Sequence, residues 1–266
     1  FWQGDIRTTV GNFLAVIWEG DAAFLERGEV IRISSFKDQR ETKYHNIAIK
    51  AYDKVPKNEV PPEVADVLFA VPKVSNELIE SSAQLLFDRS YYIDQSIADF
   101  VVACLKDIDL KVLIDCPAAT KMHHNYRGGL VVHTAEVFQI AHAISNAFPY
   151  KEFINTDVIK ASAALHDIGK TITYFMNEVG LADKRPTENV IGHLYYGMRM
   201  VEDTAKHQPI DKQILDEILH NIAAHHGRAD QGTIKEPKSL EAVIVHQADY
   251  ISAKAGEIDT FFMNNE

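Results

Sequence analysis

The sequence predicts a mainly α-helical protein, an all-helical bundle preceded by a small β module. Three observations carry that expectation. The first fifty residues hold short β-branched and alternating runs. From about residue 63, apolar residues recur at helical spacing behind capping side chains. Eleven of the twelve histidines lie after residue 120, which gives the helical part a chemistry that the β part lacks. We divide the chain into residues 1–52 for the β module, 53–62 for a linker and 63–266 for the helical domain.

In the β module, Phe13 to Trp18 is mostly apolar, Glu29–Phe36 is β-branched, and Tyr44–Ala51 alternates through Ile47, Ile49 and Ala51. Polar Lys37–Lys43 reads as the hairpin connection between the last two. Three strands are few for an independent domain, so early strands of a small barrel are expected to lie upstream. Phe1 in place of Met likewise makes the sequence read as a piece of a longer chain. Pro56, Pro61 and Pro62 mark the linker.

The helical part begins with Ser75 as the cap of a helix through Leu78, Ile79, Leu85 and Leu86. Asp94 caps a second, through Ile97, Phe100, Val101 and Leu105. Pro117 interrupts, and Gly128-Gly129 turns the chain into a long helix from about Leu130 to Ala147. Asp157 is read as the cap of Val158–Ile168, with Gly169 closing that helix. Thr171–Asp183 reads as a small hairpin, and helices follow at about 190–207, 211–226 and 239–255.

Composition excludes several classes. No apolar run reaches the roughly 18 residues of a membrane span, so no membrane partner is expected. Two cysteines, Cys104 and Cys116, make neither a disulfide framework nor a CxxC metal clip, which suits a reducing cytoplasm. The net charge of −11 argues against an electrostatic sleeve for duplex DNA. Residues 1–50 hold seven Lys/Arg and seven Asp/Glu, so the whole excess lies beyond them. An acidic domain acting on phosphate needs metal ions to offset repulsion.

The helix ends supply donors for such ions. His166-Asp167 closes an apolar helix; neighbours on a helix lie about 100° apart, so both reach one ion only near its end. His133 lies in the first turn after Gly128-Gly129, His193 follows Gly192, His225-His226 precedes Gly227, and Asp249 sits in the last helix. Helix ends converging on one locus of a bundle can build a metal centre. A lone His-Asp pair is more often a capped helix end, but five such placements in one chain shift the balance. Imidazole with carboxylate suits Mn²⁺, Fe or Zn²⁺.

The order His133, His166-Asp167, Asp249 resembles the H…HD…D signature of the HD superfamily, whose members are mostly metal-dependent phosphohydrolases built as all-α bundles. His193 and His225-His226, 27 and 59–60 residues after His166, are similar to the second-metal ligands of binuclear members. The resemblance implies His133, His166, Asp167 and Asp249 on one ion. It implies Asp167 bridging to a second ion held by His193 and by His225 or His226. Two divalent ions are expected, Mn²⁺ favoured, with Fe, Co²⁺, Mg²⁺ and Zn²⁺ as alternatives.

A narrower resemblance is carried by Cys116-Pro117-Ala118-Ala119-Thr120-Lys121-Met122-His123-His124, by Asn189-Val190-Ile191-Gly192-His193, by His225 through Gly232, and by Asp249 through Lys254. These strings are similar to the YhaM-type 3′→5′ exoribonucleases, which place an OB-fold ahead of the HD domain. Residues 1–52 resemble the later strands of such a fold.

That likeness implies hydrolysis of single-stranded RNA, or DNA, from its 3′ end, with Asp167 and Lys170 serving the chemistry. His123, His124 and Arg127 are candidate substrate contacts, with structural hydrogen bonding and an exposed loop arginine as the ordinary readings. His246 is a candidate for support behind the ligands. Phe13, Trp18, Phe24, Phe36 and Tyr44 are stacking candidates, though small barrels more often bury such rings. Arg32, Lys37, Arg40 and Lys43 form a modest basic group beside them. Two other readings stand beside this one: an HD-type nucleotidase or cyclic-nucleotide phosphodiesterase, and a nucleic-acid-binding module with a vestigial HD site.

Overall fold

A computed structural model gives the fold. It describes every residue except 1, 9–10, 19–24, 26–27, 69–73, 121–122, 150, 178–179 and 264–266. Phe24, Lys121 and Met122 therefore lie outside the described residues. The chain divides into two compact units, Phe1–Val71 and Pro72–Glu266.

The first unit is a four-stranded sheet of β1 (Trp2–Thr8), β2 (Gly11–Ile17), β3 (Val30–Asp38) and β4 (Ile47–Val55), ordered β1-β2-β4-β3. The outer pairs are antiparallel and β2 runs parallel to β4. The sheet thus has one strand more than the three expected. In β1, Trp2, Gly4, Ile6 and Thr8 are half-buried while Gln3, Asp5 and Arg7 face solvent, a period of two that the polar residues obscure. Ala15, Ile17, Ile47 and Ile49 form the buried centre, with Trp2, Ile6, Phe13 and Tyr52 against it.

The expected β3–β4 hairpin is present, but β4 starts at Ile47 rather than Tyr44. Hydrogen bonds from Gln39 N to Asn46 O and from Thr42 N to Gln39 O hold 39–46 as a loop. The structure also carries β4 into residues 53–55 and adds helix α1 (Pro62–Leu68) to this unit, so the division falls at Val71 rather than in 53–62.

The second unit is helical: α2 (Asn76–Phe87), α3 (Gln95–Lys106), α4 (Leu110–Asp115), α5 (Gly129–Ala147), α6 (Thr156–Leu165), α7 (Lys170–Thr173), α8 (Pro186–Val190), α9 (His193–Ala205), α10 (Lys212–Ala224) and α11 (Leu240–Met263). Ser75 and Asp94 cap α2 and α3 as expected, accepting from Leu78 N and Ser96 N. A small hairpin, β5 (Tyr174–Met176) with β6 (Ala182–Lys184), follows α7. The helix expected over 190–207 is α9, which starts at His193 because Gly192 at φ +84° separates it from the short α8.

Helix α6 is the centre of this unit. Asp157 to Leu165 are all buried, and α5 and α11 pack against it with Val131, Val137, Phe138, Val245 and Ala248. A helix covered on every side tolerates small residues all round, which explains its Ala161, Ala163 and Ala164. Its cap is Asn155, not Asp157: the Asn155 side chain accepts from Asp157 N and Val158 N. Asp157 instead accepts from Ile93 N and Asp94 N at 3.0 and 2.7 Å and pairs with Lys160 at 2.6 Å. It ties the start of α6 to the start of α3. No helix among the described residues is long and apolar enough to cross a membrane.

Replacing Asn155 with alanine removes a side-chain acceptor from two first-turn amides and is expected to cost about 1 kcal/mol. Urea unfolding of the variant beside wild type measures it; an unchanged midpoint would return the capping role to another group.

Candidate metal centre

Helix α6 ends at Leu165, and residues 166–169 continue as a turn that aims His166 and Asp167 inward. Gly169 does not close the helix as a left-handed cap; its φ is −63°. It is needed for close approach. A Cβ there would sit 2.0 Å from His193 O and 2.5 Å from Gly197 N, so the turn lies directly on the backbone of α9. That contact brings His193 to Asp167. Gly129 acts similarly at the start of α5, where a Cβ would meet His124 O at 2.0 Å, and this sets His123 and His124 beside His133.

Around Asp167 the predicted donors converge. His133 Nε2 lies 3.1 Å from Asp249 Oδ1, 3.3 Å from His166 Nε2 and 3.6 Å from Asp167 Oδ2. His166 Nε2 is 3.3 Å from Asp167 Oδ2 and 3.8 Å from Asp249 Oδ1. On the other carboxylate oxygen, His193 Nε2 and His225 Nε2 lie 3.4 and 3.5 Å from Asp167 Oδ1. His226 Nε2 is 3.3 Å from His193 Nε2, so both members of the His225-His226 pair turn inward.

Among the described residues, three groups have donor atoms close enough together to hold an ion: His133, His166 and Asp167; His193, His225 and His226; and His123, His124 and His133.

The outer ring nitrogens explain the orientation. His166 Nδ1 and His225 Nδ1 each sit 2.8 Å from a carbonyl three residues back, Ala163 O and Ile222 O. His193 Nδ1 lies 2.7 Å from Glu188 Oε1, and His133 Nδ1 lies 2.9 Å from Ser252 Oγ. An Nδ1–H given to a carbonyl or carboxylate leaves Nε2 of the neutral ring as a lone pair. His166, His193 and His225 thus turn lone pairs toward the buried Asp167, whose Oδ1 has no hydrogen-bond donor. Lone pairs and an orphaned carboxylate oxygen together fit a cation.

Electrostatics agree. Burial opposes ionisation of Asp167, yet Lys170 and His166 hold its carboxyl well below the usual range. Burial likewise opposes ionisation of Asp249, which His133 outweighs. Burial disfavours a proton on His133, but the hydrogen bonds to Asp167 and Asp249 raise it to about 9. Positive charge is wanted at that point. His226 moves the other way, to about 3, through burial and then the neighbouring His225 and His193. Burial, with His133 and His124 nearby, lowers His123 to about 4.

Lys170 Nζ bonds Asp167 Oδ2 at 2.6 Å, and Asp167 opposes the burial that would lower the ammonium. Arg127 is exposed and engaged elsewhere, with Asp115 at 2.7 Å and Asn76 at 3.5 Å, at the end of α4 and the start of α2. His246 Nδ1 lies 2.6 Å from His225 O, behind the cluster rather than in it. His142 meets Asn146 and Tyr91, His207 meets Asp107, and His220 accepts from Lys238 N. Glu188, Glu136 and Ser252 were not singled out from the sequence. Glu136 and Ser252 each lie three residues after a donor, on the same helix face, and that spacing was there to be read.

Residues 130–254 match the family model described as the HD domain, a span that encloses all seven of the converging residues. They form an HD domain. The chain is 30% identical over 196 residues to the 3′-5′ exoribonuclease YhaM of Geobacillus sp. (strain WCH70) and, over the same length, to that of Bacillus subtilis (strain 168). Each alignment covers 74% of this chain, and the chain spans only 58% and 60% of those two relatives. No solved structure gives a significant match.

Two outcomes follow for this HD domain. His123 and His226 titrate near 4 and 3 when folded and near 6.5 when unfolded, so between pH 6.5 and 4 the unfolded chain binds more protons. The raised His133 contributes fully throughout that window and does not reverse the slope. The melting temperature of EDTA-treated protein is therefore expected to fall as pH drops from 6.5 to 4; a flat or rising profile contradicts the burial of these rings. Gly169→Ala forces backbone apart and is expected to cost about 1–3 kcal/mol and to lower divalent-ion binding with it, both measured on one purified variant.

Proposed function

We propose that this HD domain is a metal-dependent phosphodiester hydrolase that removes nucleotides from the 3′ end of single-stranded RNA. The observation that carries the reading is the division of one buried carboxylate, with His133 and His166 near Asp167 Oδ2 and His193 and His225 near Oδ1. One ion would be held by His133, His166, Asp167 and Asp249. A second would be held by Asp167, His193, His225 and His226. Two such ions lower the pKa of water enough to make it a nucleophile near neutral pH and offset charge on phosphate oxygens. The nitrogen–oxygen donor set suits Mn²⁺, Fe or Zn²⁺, and we favour Mn²⁺.

The chain's own residues do the rest. Lys170, at 2.6 Å, keeps Asp167 ionised and fixes the direction of Oδ2. The carbonyls of Ala163 and Ile222 hold His166 and His225 with Nε2 inward, and Glu188 does so for His193. His123 and His124 flank His133 and are our candidates for the substrate side. Arg127, bound to Asp115, is a weaker candidate than the sequence suggested.

RNA as substrate is supported by the similarity to proteins named 3′-5′ exoribonuclease. It is also supported by exposed Trp18, Phe36 and Tyr44 in the β unit, which offer faces on which bases stack. Phe13 belongs to the packed side of the sheet, and Arg40 is engaged by Asp38. We read this unit as part of an OB-fold. Two free, buried cysteines are consistent with a cytoplasmic setting.

The test is digestion of 5′-labelled single-stranded RNA with and without Mn²⁺, beside His166→Ala and Asp167→Ala. A metal-dependent ladder shortening from the 3′ end, lost in both variants, is expected, and Asp167→Ala should also lose both ions by elemental analysis. Intact RNA with hydrolysed mononucleotides or cyclic nucleotides would make the domain a small-substrate phosphohydrolase. A metal-replete protein inactive on every phosphoester would make it a binding module.

A further inference from the structure

Four histidines turn Nε2 toward Asp167, but their outer nitrogens are held in three different ways. His166 and His225 use backbone carbonyls of the same chain segment. His193 uses the Glu188 carboxylate directly. His133 reaches a carboxylate through a hydroxyl: its Nδ1 lies 2.9 Å from Ser252 Oγ, and Ser252 Oγ lies 2.6 Å from Glu136 Oε2.

The direction of this chain is fixed by what each group can do. An ionised carboxylate only accepts. Burial opposes ionisation of Glu136, but its bonds to His124 and Ser252 keep the carboxyl below its ordinary range. The Ser252 hydroxyl must then donate to Glu136. Its oxygen is left to accept, so His133 must donate through Nδ1–H. In the neutral ring the single proton is thereby committed, and Nε2 carries the lone pair toward Asp249, His166 and Asp167.

The placement is economical in the fold. Helix α5 supplies His133 and, one turn later, Glu136. Helix α11 supplies Asp249 and, one turn later, Ser252. Each helix thus gives one inward donor and one support on the same face. Ser252 is fully buried, with its hydroxyl between the two partners. Glu136 Oε2 also lies 3.3 Å from His124 Nε2, which joins the segment before α5 to the same anchor.

We propose that Ser252 and Glu136 are positioning residues for His133, a hydroxyl–carboxylate relay that commits the neutral ring's proton to Nδ1 and aims Nε2 at the first ion position. The relay rests on the two-ion reading of the site given above, and not on RNA being the substrate. Groups behind a ligating histidine typically change metal affinity 10- to 100-fold when removed. Only one of the two ions should feel the loss, because on the other side His193 is held by Glu188 and His225 by the Ile222 carbonyl, neither of which touches Ser252 or Glu136.

The experiment is isothermal titration of Mn²⁺ into EDTA-stripped full chain, with bound metal counted by elemental analysis and thermal melts run in parallel. The variants are Ser252→Ala, Ser252→Thr and Glu136→Gln. Ser252→Ala is expected to weaken one site by about 10-fold or more and spare the other. Ser252→Thr should restore it. Glu136→Gln, at a half-exposed position, should weaken the same site less.

Both sites unchanged in Ser252→Ala and Glu136→Gln would overturn the relay. So would equal weakening of both sites with a lowered melting temperature, since that marks a purely structural role. Wild type that takes up no Mn²⁺ would overturn the two-ion reading and the relay with it. Because the readout is ion binding, absence of RNA hydrolysis bears on the function alone.

Discussion

A carboxylate that is only 1% exposed dominates the helical unit. Burying Asp167 in ionised form is costly unless positive charge and hydrogen bonds surround it. Lys170 meets one oxygen at 2.6 Å, and the other oxygen finds no donor. Two imidazoles approach that oxygen at 3.4 and 3.5 Å and two more approach the first at 3.3 and 3.6 Å, with the outer nitrogens of His166, His193 and His225 on carbonyls or a carboxylate. Such an arrangement is unfavourable as a purely organic core. It becomes favourable when cations occupy the space between the lone pairs, and this is why the cluster carries chemical meaning beyond packing.

The fold serves that constraint. Helix α6 is sheathed by other helices, so the turn that follows it is rigidly placed. Glycines then allow backbone to touch backbone where side chains must converge. Gly169 on the backbone of His193 and Gly129 on that of His124 each leave no room for a Cβ. Gly227, at φ +80°, lies under the ring of His246, which in turn bonds His225 O. The spatial order of the histidines follows from these three close approaches as much as from helix packing.

Polar support behind the cluster divides into local and long-range kinds. A carbonyl three residues back is available to any histidine at a helix end, and His166 and His225 need nothing else. His193 stands at a helix start, where carbonyls point away, and Glu188 from the preceding helix replaces them. His133, near the start of a long helix, reaches across to Ser252 of α11. The position of each histidine along its helix therefore dictates what holds it.

The sequence by itself singled out the seven donor residues that the fold brings together around Asp167. Histidine and aspartate at successive helix ends, with glycine beside most of them, were legible because capping and spacing are local properties. So were the caps Ser75 and Asp94, the β3–β4 hairpin and the division into a β part and a helical part.

What needed the tertiary structure was every choice between local equivalents. Asn155 and Asp157 can both cap α6, and only the amides of Ile93 and Asp94, distant in sequence, draw Asp157 away. Gly169 reads as a helix stop until α9 lies against it. Both His225 and His226 turn inward because the chain leaves α10 in a tight turn, where adjacent side chains need not diverge as they would along a helix. Ser252 and Glu136 are ordinary helix residues until α5 and α11 bring them within 2.6 Å.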